Sequence, residues 1–138
     1  MTTTSVPAPI PLGAARFLRP RGHVIDGRVV PSIGGDTLPV EDPSTGEVFS
    51  HIPAGDAADI ERAVRAARAS FDSGVWSRAD PAHRGRVLWA LAKLIRDDAE
   101  ALAWLETRDS GKPIAEARAD ITGTAEILEY YAGLASQI

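Results

Sequence analysis

Residues Asp80–Pro113 read DPAHRGRVLWALAKLIRDDAEALAWLETRDSGKP, and the spacing of their apolar side chains decides the fold. Leu88, Leu91, Ile95, Leu102 and Leu105 recur at steps of three, four or seven, the period of one helical face. Arg84, Arg86, Lys93, Arg96 and Glu100 fall on the opposite side. Asp80 suits an N-cap, and Pro81 suits the first helical position, where a missing N–H is harmless. Gly111 suits the left-handed position after a helix, and Pro113 forbids continuation. Inside the stretch, Asp97 and Glu100 stand at capping-box spacing. The pattern therefore predicts two helices in series with a bend near Asp97, or one long bent helix. Burying such side chains stabilises by about 1.5–3 kcal/mol each. Five of them left wet forfeit about 8–15 kcal/mol, the whole stability of a small domain. Either the rest of the chain covers this stripe or a partner does.

Working outward, the period is helical from Gly55, with Asp56 as N-cap and Ile60, Val64, Ala67 and Phe71 on one face. Gly74 ends that helix. Beyond Pro113 a short helical turn is expected through Glu116. A final helix is expected from Asp120, with Ile121, Ala125, Leu128, Ala132 and Ala135 aligned. Upstream, Asp26-Gly27 between His23–Ile25 and Arg28–Val30 predicts a tight hairpin. Thr37–Asp42 and Glu47–Ile52, joined by Pro43-Ser44-Thr45-Gly46, predict a second, with Pro39 marking an edge or irregular strand. The fold class expected is α+β: two short hairpins forming one small antiparallel sheet, then about four amphipathic helices. Residues 1–20 carry Pro7, Pro9 and Pro11 and no apolar period, so they are expected to form a flexible leader. Arg16, Arg19 and Arg21 before the first acid, Asp26, resemble a transit peptide, but the prolines break the helix such a peptide needs.

The 138 residues are 44% hydrophobic and 25% charged, with a net charge of −4, enough for one ordinary globular domain. No basic cluster points to nucleic acid. No apolar run approaches the length of a membrane span. There is no cysteine, so the chain supplies no thiolate nucleophile, thiolate metal ligand or disulfide. A cytoplasmic location is the expectation.

Phosphate loops are missing, since the glycines never fall as G-x-G-x-x-G and Lys112 lacks a P-loop context. His23, His51 and His83 have no metal-helix spacing. The acid pairs Asp97/Asp98 and Glu126/Glu129 are accounted for by helix capping and solvated faces. Trp76, Trp89, Trp104, Tyr130 and Tyr131 read as packing residues and not a stacking platform. Asp109 stands apart. It occupies the last turn of a helix, where the macrodipole disfavours an anion. Either it is exposed and slightly unfavourable, or a cation or donor sits beside it.

Asp42–Glu47 (DPSTGE), Ala63–Phe71 (AVRAARASF), Leu105–Ala117 and Glu129–Gly133 are blocks that together resemble the aldehyde dehydrogenase superfamily. Asp42–Glu47 resembles its N-P-x-T-G-E turn, with Asp42 where Asn is commoner. Ala63–Phe71 (AVRAARASF) followed by Trp76 resembles A-V-x-A-A-R-x-A-F. Arg84–Leu88 and Leu91–Ile95 resemble the next helix. Leu105–Ala117 resembles L-E-T-x-x-x-G-K-P-x-x-E-A, and Glu129–Gly133 resembles E-Y-Y-A-G. Order and spacing hold from about Ile25 onward. The resemblance implies that residues 21–138 are the incomplete N-terminal part of a Rossmann-type α/β cofactor domain. It implies an enzyme oxidising aldehydes with NAD or NADP through a cysteine and a glutamate base. Both lie later in the family, so no catalytic or cofactor-binding residue carries over, and this chain alone is expected to be inactive. The implied partners are the missing C-terminal portion, an aldehyde and, when complete, further copies of the enzyme. The resemblance also implies a structural monovalent cation at Asp109, with backbone carbonyls near Val40 and Glu41. Leu128–Leu134 looks closest to betaine-aldehyde-type members. The alternative is a stand-alone helical module that binds a partner through its uncovered stripes.

Overall fold

The structure, a computed structural model, describes residues 10, 11, 13–16, 18 and 22–137. Strands β1 (His23–Ile25) and β2 (Arg28–Val30) pair antiparallel, Val24 opposite Val29. Asp26 (φ 53°) and Gly27 (φ 69°) both take positive φ, as a two-residue primed turn demands. Strands β3 (Thr37–Asp42) and β4 (Glu47–Pro53) form the second hairpin. Its register jumps from Val40↔Ser50 to Glu41↔Val48, so Phe49 is the extra residue of a bulge.

The two hairpins do not join into one sheet, contrary to the sequence expectation; each is a separate two-stranded unit. The reason is where each is anchored. The first lies on α1, tied to its first turn through His23 and Asp59, and the second packs on α3.

Helix α1 (Ala57–Ser73) begins on a capping box. Asp56 Oδ1 accepts from Ala58 N (2.8 Å) and Asp59 N (3.0 Å), while Asp59 Oδ2 accepts from Asp56 N (3.4 Å). Gly74 closes it in the left-handed conformation. Helices α2 (Pro81–Asp97) and α3 (Ala99–Ser110) follow in series, bent at Asp98, which ends one and starts the other. The expected Asp97–Glu100 capping box is not made. Asp97 instead accepts from Lys93 one turn back (2.6 Å), and Glu100 is held by the fork of Arg118 (2.8 and 3.0 Å). Those charged pairs leave neither carboxylate for the backbone. Helix α4 (Ile114–Leu134) is continuous, so the pause expected between Glu116 and Asp120 does not occur. The intervening Ala117-Arg118-Ala119 are strong helix formers, and nothing there breaks the ladder.

Helix α4 lies across α2 and α3. Its predicted stripe is the packed one: Ala125 and Ala132 are buried, and Ile121, Leu128 and Ala135 half-buried. The buried apolar set among the described residues is seven alanines and Trp104. Leu88, Ile95, Leu102 and Leu105 are partly buried, none of them fully, and Leu91 is 44% exposed. The face of α1 expected to pack is open: Ile60, Val64 and Phe71 are 61, 60 and 75% exposed. The stabilisation the α1 stripe offers is largely unclaimed within this chain.

Part of the expected leader is packed. A 3-10 turn at Ala14–Arg16 places Ala14, fully buried, against Ala101 and Trp104, with Leu18 and Leu105 alongside. Trp104 supplies the surface that holds it. The rest of the expected leader lies outside the described residues.

Candidate functional site

A groove of about 320 Å³ runs between the second hairpin and α3. Val40 and Phe49 line it from the hairpin, Leu102, Leu105 and Asp109 from α3, and Ile121 from α4. Asp109, the one acid singled out in the sequence, is exposed at its rim.

The floor is apolar because the i, i+3 spacing of α3 turns Leu102 and Leu105 toward β4. The rim is electronegative. The last carbonyls of α3 have no intrahelical donors, apart from the Thr107 carbonyl, which accepts from Gly111 N (2.9 Å). Asp109 adds a full negative charge to that end, and no ion pair reaches it among the described residues. Its neighbour Glu106 is paired with Lys112 (3.2 Å), which also bonds Asp120. The hydrogen bonds it donates to Asp120 and Glu106 hold the Lys112 ammonium above its ordinary pKa. Oxygen donors of this kind suit a hard, weakly charged cation. Among the described residues no three His, Cys, Asp or Glu gather as a metal cluster.

One side of the groove is fastened by an ion pair. Arg108 Nε lies 2.7 Å from Asp42 Oδ2, and Asp42 is 3% exposed. The guanidinium sits 5.1 Å from the Phe49 ring centroid and 5.4 Å from that of Trp104, flanked by two aromatic rings. Ser44 donates to Asp42 Oδ1 from its hydroxyl (2.6 Å) and its N–H (2.9 Å). These two bonds, with Arg108 beside them, hold the Asp42 carboxyl below the usual range against the opposing effect of burial. Neither Asp42 nor Arg108 stood out as a site residue in the sequence, because they are brought together across 66 positions only by the hairpin's docking.

A second buried cluster was also invisible. Asp59, 2% exposed, accepts from Ser32 Oγ (2.9 Å) and Ile33 N (3.1 Å), with His23 Nε2 at 3.7 Å. Burial alone raises its pKa. The bonds from Ile33, Ser32 and Asp56, and His23 nearby, outweigh it and leave the carboxyl below its ordinary value. The three residue types are those of a hydrolytic triad, but the order is wrong. The carboxylate stands between serine and histidine, so no imidazole can take the hydroxyl proton. The cluster ties the first hairpin to α1.

The other sequence candidates are dispersed. His51 and His83 are exposed on separate elements. Asp98 pairs with Arg16, and Glu129 with the fork of Arg96 (2.8 and 2.9 Å). Trp104 is buried and Trp89 exposed, while Tyr130 and Tyr131 meet edge to face at 5.4 Å. They make no common platform.

A sequence model of the aldehyde dehydrogenase family matches residues 30–138. The chain is 47% identical over 116 residues to aldehyde dehydrogenase family 2 member B4, mitochondrial, of Arabidopsis thaliana, covering 83% of this chain and 22% of that protein. It is 44% identical over 108 residues to the mitochondrial aldehyde dehydrogenase of Homo sapiens, covering 77% and 21%. Among solved structures, betaine aldehyde dehydrogenase from Staphylococcus aureus in complex with NAD+ superposes with a TM-score of 0.81 at 37% identity, over 88% of this chain and 24% of that one. An NAD-dependent aldehyde dehydrogenase from Sinorhizobium meliloti gives 0.82 at 38%, over 86% and 24%. The chain belongs to the aldehyde dehydrogenase family. It spans about a fifth of the length of the curated relatives it matches. No helix among the described residues is long and apolar enough to cross a membrane.

Proposed function

We propose that this chain works as the N-terminal part of the cofactor domain of a cytoplasmic, oligomeric NAD(P)-dependent aldehyde dehydrogenase, which oxidises aldehydes to carboxylic acids. Its own contribution is architectural: it supplies hairpins and outer helices that pack against the rest of that domain. The observation that carries this reading is the open face of α1. Ile60, Val64 and Phe71 are aligned and exposed, and burying them stabilises by several kcal/mol in all, at about 1.5–3 kcal/mol each. A polypeptide that covers that face is the remainder of the family's fold.

The 138 residues hold no cysteine, hence no thiol to attack an aldehyde carbonyl, and no glycine-rich phosphate loop. The chain by itself is therefore inactive in this proposal. NAD or NADP, when bound to the complete enzyme, accepts the hydride, and this segment holds no residue that touches it. Co-expression with the complementing C-terminal portion of a close relative tests the reading: the two parts should co-purify and reduce NAD or NADP in the presence of an aldehyde. A chain that stays alone under those conditions refutes it.

The groove at Asp109 is proposed to hold a structural monovalent cation. What supports this reading is Asp109, a carboxylate with no ion-pair partner among the described residues, at the end of a helix whose last carbonyls lack intrahelical donors, with Val40 lining the same groove; such oxygens are hard donors. A bound cation would offset the charge that Asp109 adds to the negative end of α3.

A further inference from the structure

Arg108 immediately precedes Asp109, yet its side chain reaches away from the rim to Asp42 on the other element of the groove. It reaches the hairpin at two places and lies back on its own helix at a third. Its guanidinium pairs with Asp42 at the end of β3, lies beside Phe49 in the β4 bulge, and lies beside Trp104 one turn back on α3. The turn after β3 presses on the same helix end, where a Cβ at Gly111 would lie 3.0 Å from Pro43 Cγ. Val40, two residues before Asp42, is the hairpin's groove residue next to the bulge. Arg108 is thus the charged, ring-flanked side chain that spans from α3 to the hairpin on which Val40 lies.

We propose that Arg108 is the positioning residue of the cation groove, holding the β3–β4 hairpin on α3 so that the Val40 backbone and the Asp109 carboxylate address the same monovalent cation. This rests on the cation reading above. A neighbouring guanidinium ordinarily repels a cation. Here the charge of Arg108 is taken up by buried Asp42, so the groove keeps its negative rim. Lysine does not replace it, because a point charge lacks both the planar fork and the flat face that lies against the rings.

The test is a cation titration of the whole chain, read by thermal unfolding in potassium, sodium or choline chloride at equal ionic strength, with hydrogen exchange of β3–β4 and α3. The parent chain should gain stability with potassium or sodium over choline, and Asp109→Asn should lose that gain. Arg108→Gln and Arg108→Lys should need about tenfold or more cation for the same gain, the scale on which supporting residues act on metal affinity. Exchange should quicken in β3–β4 while the interior of α3 keeps its protection. Asp42→Asn, which leaves Arg108 its length and rings, should fall between. A parent chain indifferent to the cation overturns the cation reading and this proposal with it. A cation response that Arg108→Gln leaves unchanged overturns this proposal alone, and so does Arg108→Gln unfolding while Arg108→Lys matches the parent.

Discussion

Gly85 of α2 and Ala132 of α4 meet backbone to backbone: a Cβ placed on Gly85 would lie 2.8 Å from the Ala132 carbonyl oxygen. Gly85 is buried, and it lies where the two most extensively packed helices come together. Gly85→Ala should therefore force α2 and α4 apart and destabilise by about 1–3 kcal/mol, despite the better helix propensity of alanine. Chemical denaturation checks this. Gly123, with nothing within 4 Å of its Cβ position, is the control, and alanine there should stabilise by up to about 1 kcal/mol.

Gly111 closes α3 at φ +75°, and a side chain there would press on Pro43. Gly111→Ala should cost about 1 kcal/mol or more and should loosen the second hairpin along with the helix end. A higher melting temperature would mean that the helix does not stop there.

Acid should unfold the chain through Asp42 and Asp59. Both carboxyls are held below the ordinary value of about 3.9 in the folded state. A depressed folded pKa contributes stability that is present above the unfolded value and lost as pH falls through the folded one. Ser44→Ala removes the hydroxyl that does most to hold Asp42 down. Its acid unfolding midpoint, followed by far-ultraviolet circular dichroism, should move to higher pH, with little change near neutrality in the shape of the spectrum.

Local signals were legible in the sequence and long-range ones were not. The caps at Asp56 and Gly74, the turn at Asp26-Gly27 and the stop at Gly111 are all set by neighbouring residues, and all are where the spacing put them. The capping box at Asp97 failed because Lys93 and Arg118 compete for the same two carboxylates, one of them from another helix. Helical period correctly marked the apolar faces of α1 and α4, but period alone says nothing of which face finds cover: α4 packs and α1 does not. The Asp42–Arg108 and Ser32–Asp59–His23 clusters join residues 27 to 66 positions apart, so no local pattern announces them. Asp109 could be singled out from the sequence because its conflict with the helix dipole is itself local.

The open face of α1 should make the isolated chain bind a hydrophobic dye or self-associate. Val64→Asp with Phe71→Asp should reduce dye binding and lower the stability of the isolated chain by about 1–2 kcal/mol, the cost of Asp inside a helix and of an anion in its last turn, with little lost packing because both side chains are mostly exposed. The same pair should prevent assembly with a complementing C-terminal portion. Assembly that survives both substitutions would show that this face is not the one covered.

The most direct test is to titrate NAD and NADP calorimetrically into the 138-residue chain alone and into its assembly with the complementing portion. NADH or NADPH absorbance is then followed with betaine aldehyde and short aliphatic aldehydes. The account predicts no cofactor binding and no turnover by the chain alone, and both in the assembly. Micromolar binding of either cofactor by the isolated chain, or aldehyde oxidation without the second part, would contradict it.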